Sequence, residues 1–144
     1  MNQKRSFFLE QGLALACAIA ATATVGSLYI SEVLGYIPCN LCWYQRILMY
    51  PLVLILGIAT VRKDYKMAIY VLPMTLLGLC ISIYHYLLEK TDWVQSSAKV
   101  CGIVPCDAAH FNWFGFITIP FMAGTASLLI SILMIGIIRA NRSH

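Results

Sequence analysis

Cys39 and Cys42, in the segment GYIPCNLCWYQR (residues 35–46), stand three apart where one apolar run gives way to the next, and Arg46 follows four residues later. A second pair, Cys101 and Cys106, bounds the segment CGIVPC. Close cysteine pairs can exchange disulfides, hold a metal or staple a loop, and their neighbours distinguish these chemistries. Cys42 opens the second apolar run, and at a helix start the positive end of the macrodipole favours a thiolate. Arg46, at i+4, shares a helical face with Cys42 about one turn away. Its guanidinium keeps its proton and is costly near hydrocarbon unless an anion sits opposite it. A thiolate, a lipid phosphate or the oxygen of a reduced quinone would serve; a side chain snorkelling to the interface is the plainer alternative. In the second pair, Gly102 and Pro105 supply turn chemistry that brings the two sulfurs together. A ring of six residues stabilises by only about 2 kcal/mol on loop-entropy arithmetic. Such a disulfide staples little, as expected of one made to be opened and re-formed. Two inert disulfides remain a competing reading. A four-thiolate zinc site is weaker, since no other metal-ligand pattern accompanies it.

The elements that must position these residues follow from composition. The chain has 144 residues, 60% hydrophobic and 11% charged, with a mean hydropathy of +0.79. Soluble domains are nearer half apolar and a quarter charged. The net charge of +4 is not gathered into a patch, which argues against a nucleic-acid partner. Four apolar runs, at about 12–34, 43–61, 67–88 and 115–138, each approach the ~20 residues that cross a bilayer as helix. The fold expected is an all-α membrane protein, a four-transmembrane-helix bundle forming a single domain over residues 1–144. Lys4, Arg5, Arg62, Lys63, Lys66, Arg139 and Arg142 fall on one side of such a bundle. The positive-inside rule makes that side cytoplasmic, termini included. Both cysteine-bearing loops then face outward, where disulfides persist. A cleaved signal peptide competes for the first run, but the run continues apolar well past a typical signal core.

Within the runs the marks are those of packing. Ala14, Ala18, Thr22 and Gly26 recur every fourth residue, as do Ala123, Ser127 and Ser131, a spacing that lets helices approach closely in lipid. Pro51, Pro73 and Pro120 lie inside runs, which a bundle tolerates because neighbours satisfy the freed backbone groups. Cys17 and Cys80 stand alone in mid-helix and read as small apolar fillers. A transporter would need ionisable groups inside the bundle, and its main candidate, Glu32, lies near a helix end. A structural protein with inert disulfides is the other alternative. Redox exchange accounts for more of the pattern. One pair meets a water-soluble thiol, and the other hands the electrons to an oxidant in the membrane.

PCNLCWYQRILMYPL (residues 38–52) resembles the first active-site segment of the DsbB family of disulfide-generating membrane proteins, especially the short BdbC-type members of Gram-positive bacteria. WFGFITIP, from Trp113, is similar to that family's entry into its fourth helix. The related vitamin K epoxide reductases carry their loop cysteines before the Cys-x-x-Cys, the reverse of the order here. The resemblance implies a protein of the bacterial plasma membrane that reoxidises an extracytoplasmic thioredoxin-fold thiol oxidase of the DsbA or BdbD type. It implies a quinone as electron acceptor, menaquinone by likeness to Gram-positive members and ubiquinone as the alternative. By position, Cys42 would face the quinone with Arg46 as the quinone-side cation, and Cys39 would exchange with the second loop. Cys101 would be attacked by the partner, and Cys106 would pass the disulfide across. His85 matches a histidine that the family places near the quinone; read alone, it is an interfacial histidine. Two departures stand out. The loop pair is five apart, where longer Gram-negative members separate theirs widely, and Gln45 stands where those members can carry an acid.

Overall fold

The computed structural model describes residues 2–35, 40–91 and 119–143. Cys39, Cys101, Cys106, the CGIVPC turn and the segment from Trp113 to residue 118 lie outside the described residues. The described chain forms α1 (Asn2–Glu32), α2 (Asn40–Arg62), a 3-10 turn (Tyr65–Met67), α3 (Ala68–Lys90) and α4 (Ile119–Arg142). All four helices are long and apolar enough to cross a membrane, and the fold is an all-α four-helix membrane architecture.

α1 starts ten residues before the apolar run expected at 12. The extension is held from the side: Leu9 is buried, and Glu10 pairs with Lys63 at 3.1 Å, beyond the end of α2. α2 closes by a pair of crossing backbone bonds. The Lys63 amide donates to the Thr60 carbonyl at 3.3 Å, and the Asp64 amide to the Ala59 carbonyl at 3.0 Å. That closure puts Lys63 in the left-handed region, at φ 54°, as the motif requires. The Asp64 side chain then accepts from the Lys66 amide at 3.1 Å and starts the 3-10 turn. So tight a connection makes α2 and α3 antiparallel neighbours.

Cross-helix contacts give the rest of the topology. Ser27 near the end of α1 meets Arg46 near the start of α2, and Ser82 late in α3 donates to the Pro120 carbonyl at the start of α4. Gly12 early in α1 faces Ile137 late in α4. Each helix therefore runs against its neighbours, with α1 between α2 and α4 and α3 between the same two. Lys4, Arg5, Arg62, Lys63, Lys66, Arg139 and Arg142 belong to one end of this bundle, and Cys42 to the other.

The interior changes character along its length. At the basic end it is apolar, built from Leu9, Leu13, Ala16, Leu52, Leu56, Ala59, Ala68, Val71, Ile130, Met134 and Ile137. Towards Cys42 the buried positions become Thr75, Ser82, His85, Ser127, Ser131, Gln45 and Arg46. On α3 the inward residues are Ala68, Val71, Thr75, Gly78, Ser82, His85 and Leu88, with steps of three and four alternating from Ala68 to His85 as in coiled-coil packing. α3 and α4 approach closely there. A Cβ on Gly124 would meet the Ser82 Oγ at 2.9 Å, and one on Gly78 would meet the Ser127 Oγ at 3.3 Å.

Of the two small-residue stripes, that of α4 is used: Ser127 and Ser131 are buried, and Ser131 donates to the Thr75 hydroxyl at 2.9 Å. The stripe expected on α1 is not. Ala14, Ala18 and Thr22 are exposed, and nothing lies within 4 Å of a Cβ on Gly26. The small residues that α1 does bury are Gly12, Ala16 and Ala20, half a turn away and equally spaced by four. Cys17 packs against the core. Cys80 is exposed, because it lies two residues beyond Gly78 and so on the opposite face of α3; it fills no interior space.

Candidate active site

Cys42 is half-buried in the first turn of α2, where unsatisfied backbone N–H groups favour negative charge. Arg46, one turn later, is 9% exposed, packed against the bundle and not extended away from it. Its Nε donates to the Ser27 hydroxyl at 3.1 Å, and its Nη2 to the Ser27 carbonyl at 3.0 Å. Its guanidinium carbon also sits 5.6 Å from the centroid of the Trp43 ring, within cation–π range. α1 and α2 thus fix the guanidinium from two sides. Neither of these partners is an anion, and among the described residues no carboxylate pairs with it. A cation in a bundle interior is costly without negative charge opposite it.

Around this cation the same end of the bundle collects further polar groups. His85 is 3% exposed on the inward face of α3, so it belongs to the inside of the bundle. Ser82 lies one turn below it and bonds α4 through Pro120. Tyr86 and Phe121 bring α3 and α4 together at this level, with ring centroids 6.1 Å apart and planes tilted by 48°. Gln45 is buried on α2, and its Nε2 has no hydrogen-bond partner among the described residues; the same holds for the Thr24 hydroxyl on α1. Glu32 closes α1 exposed, which leaves it outside the interior that a transport path would need.

Of the residues expected to do chemistry, the structure gathers Cys42, Arg46 and His85 at one end of one bundle. Cys39, Cys101 and Cys106 are outside the described residues. Sequence reasoning missed Ser27 as the residue that holds Arg46, and Ser82, Thr75, Gln45 and Thr24 as interior polar groups. For α3 a signal existed: Thr75, Gly78, Ser82 and His85 follow at steps of three, four and three within one apolar run. For Ser27 there was none, since nothing local ties it to a residue 19 positions away.

Residues 10–137 match the family model described as "Disulfide bond formation protein DsbB". The chain is 55% identical over 116 residues to the "Disulfide bond formation protein C" of Bacillus subtilis (strain 168), covering 81% of this chain and 84% of that one. It is 53% identical over 114 residues to a "Probable disulfide formation protein C 1" of Bacillus anthracis, covering 79% and 82%. It is also 50% identical over 131 residues to a "Probable disulfide formation protein" of Oceanobacillus iheyensis, covering 90% of each. No solved structure matches the chain.

Proposed function

Since the chain belongs to the DsbB family of disulfide bond formation proteins, we propose that it reoxidises an extracytoplasmic thioredoxin-fold dithiol protein and delivers the electrons to a membrane quinone. The observation that carries the quinone half is Arg46, a buried cation beside the Cys42 turn with no carboxylate partner among the described residues. An oxygen that gains negative charge inside the bundle is what such a group is placed to stabilise. Arg46 and the interior around His85 would hold the quinone ring, and these residues fit it: one fixed cation beside polar side chains of the helical interior that can meet ring oxygens. When bound, the quinone supplies a two-electron, two-proton oxidant. Menaquinone is the form proposed, with ubiquinone as the alternative.

The thiol chemistry belongs to the four loop cysteines. A thiolate of the reduced partner attacks the Cys101 sulfur, forming a mixed disulfide and releasing Cys106 as a thiolate. The partner's second thiolate displaces Cys101, so the partner leaves oxidised and the loop pair reduced. The loop pair then reduces the Cys39–Cys42 disulfide by the same exchange, with Cys106 passing the disulfide across. Cys42 lies at the helix start, where the positive end of the macrodipole favours the thiolate, one turn before Arg46. The basic end of the bundle is the cytoplasmic one, so both cysteine pairs are extracytoplasmic.

The state of the thiols in cells tests this directly. In quinone-depleted cells, a membrane-impermeant maleimide should label Cys39, Cys42, Cys101 and Cys106. Quinone repletion should return all four to disulfides and abolish the labelling. Labelling that ignores quinone supply would mean inert disulfides. Labelling only after the cytoplasm is opened would mean that the bundle is inverted.

A further inference from the structure

We infer that Gln45 is a second quinone-contacting group, a neutral donor to a ring oxygen of the oxidised quinone; this rests on the quinone reading above. Gln45 is 8% exposed, and its Nε2 has no hydrogen-bond partner among the described residues. Buried amide donors are almost always paired, because an unpaired one forfeits its bonds to water without replacement. Inside a bilayer no water stands by to relieve it. The amide lies in the bundle interior and not against lipid, since Gln45 shares the inward face of α2 with Leu41, Leu52 and Leu56.

A second unmet group points to the same place. The Thr24 hydroxyl, also buried without a partner, lies on α1 one turn before Ser27, the residue that grips Arg46. Two unpartnered polar groups thus occupy the two helices that fix a cation lacking a carboxylate. A ligand meeting all of these needs is apolar in bulk, carries carbonyl acceptors, and can take negative charge on oxygen. A trapped water would satisfy the amide but not the guanidinium. A quinone ring satisfies both.

The two side chains then divide the work. A neutral N–H donor bonds the carbonyl of the oxidised ring, whereas the charge of Arg46 gains most as that oxygen becomes anionic. Interactions present before reaction set affinity, and those that strengthen during it set rate. Gln45→Met should therefore act mainly on binding of oxidised quinone, and Arg46→Met mainly on its reduction.

The full-length protein, purified in detergent and stripped of quinone, is titrated with 2,3-dimethyl-1,4-naphthoquinone, whose blocked ring carbons prevent thiol addition. Gln45→Met should raise the dissociation constant about 2- to 13-fold, the range of one net neutral hydrogen bond. The infrared carbonyl stretch of the bound, carbon-13-labelled probe should move up in frequency relative to wild type. The melting temperature of the quinone-free protein should not fall, because an unpaired donor has been removed. A melting temperature that does fall, with the probe's carbonyl stretch unchanged, would make Gln45 a packing residue and overturn the proposal while leaving the quinone reading in place. Absence of any saturable binding by wild type would overturn both. Should Gln45→Met fail to fold, Gln45→Asn keeps the amide but withdraws it by one methylene. It should lose the same carbonyl shift, and retention of that shift would overturn the proposal.

Discussion

Cys106→Ala should stop turnover and leave the oxidised partner protein captured on Cys101, whereas Cys101→Ala should stop turnover with no adduct at all. Both follow from the division of roles. In the intact pair the partner's thiolate attacks Cys101 and Cys106 leaves. Without Cys106 the adduct forms when the Cys101 thiolate attacks the partner's disulfide, releasing the partner's second thiolate, and no Cys106 remains to carry the exchange on. Among the described residues neither lone cysteine is placed to substitute: Cys17 packs against the core, and Cys80 lies on the outer face of α3. The adduct should be visible as a reducible shift on a non-reducing gel after acid trapping, and peptide mass spectrometry should place it at Cys101. Normal turnover by both variants would make the loop pair structural. Capture at Cys106 in place of Cys101 would reverse their roles.

Arg46→Met should lower quinone-linked turnover by roughly 10- to 150-fold, the equivalent of a charge-assisted hydrogen bond worth about 1.5–3 kcal/mol, while capture of the partner at Cys101 persists. Arg46→Lys should recover only part of the loss. A compact ammonium cannot reproduce the planar fork that reaches the Ser27 hydroxyl and carbonyl together. Because Arg46 also ties α1 to α2, some of its effect could be structural, and Ser27→Ala separates the two. That change removes one hydroxyl acceptor and leaves the charge, so it should cost far less than Arg46→Met. Steady-state rates against quinone concentration at matched protein levels measure all three. An unchanged quinone dependence in Arg46→Met would remove Arg46 from the site.

Much of this architecture was legible in the sequence, and the parts that were not have identifiable physical reasons. Run length and composition are enough to give four membrane helices, because the bilayer leaves few alternatives to a saturated helix. Arg46 stands out as a charge beside an apolar run, and the structure holds it against Ser27 and Trp43, neither of which is the anion expected opposite it. Which partners it takes was hidden, because the α1–α2 pairing that brings Ser27 to it is a tertiary fact. Helix phase was the weakest inference. Steps of four residues turn a helix by about 40° beyond a full turn, so stripes at 14–18–22–26 and 12–16–20 are equally regular in sequence. Packing against Ile137 and the α2 core selects the second. Cys80 was misplaced for the same reason, since an apolar run that is hydrophobic on all sides does not say which face turns inward. The reverse holds for α3, where Thr75, Ser82 and His85 mark the inner face because lipid penalises them elsewhere.

In the function proposed here, electrons from a protein dithiol leave through the Cys42–Arg46 end of the bundle to a quinone. Its most direct test is an anaerobic single turnover of the purified protein in lipid nanodiscs, supplied with reduced thioredoxin-fold partner and a naphthoquinone. Quinol absorbance and partner disulfide are followed in the same sample. One quinol should form for each partner disulfide, and Cys42→Ser should abolish the quinol entirely. Partner disulfide that accumulates without quinol, or quinol formed equally well by Cys42→Ser, would contradict the account.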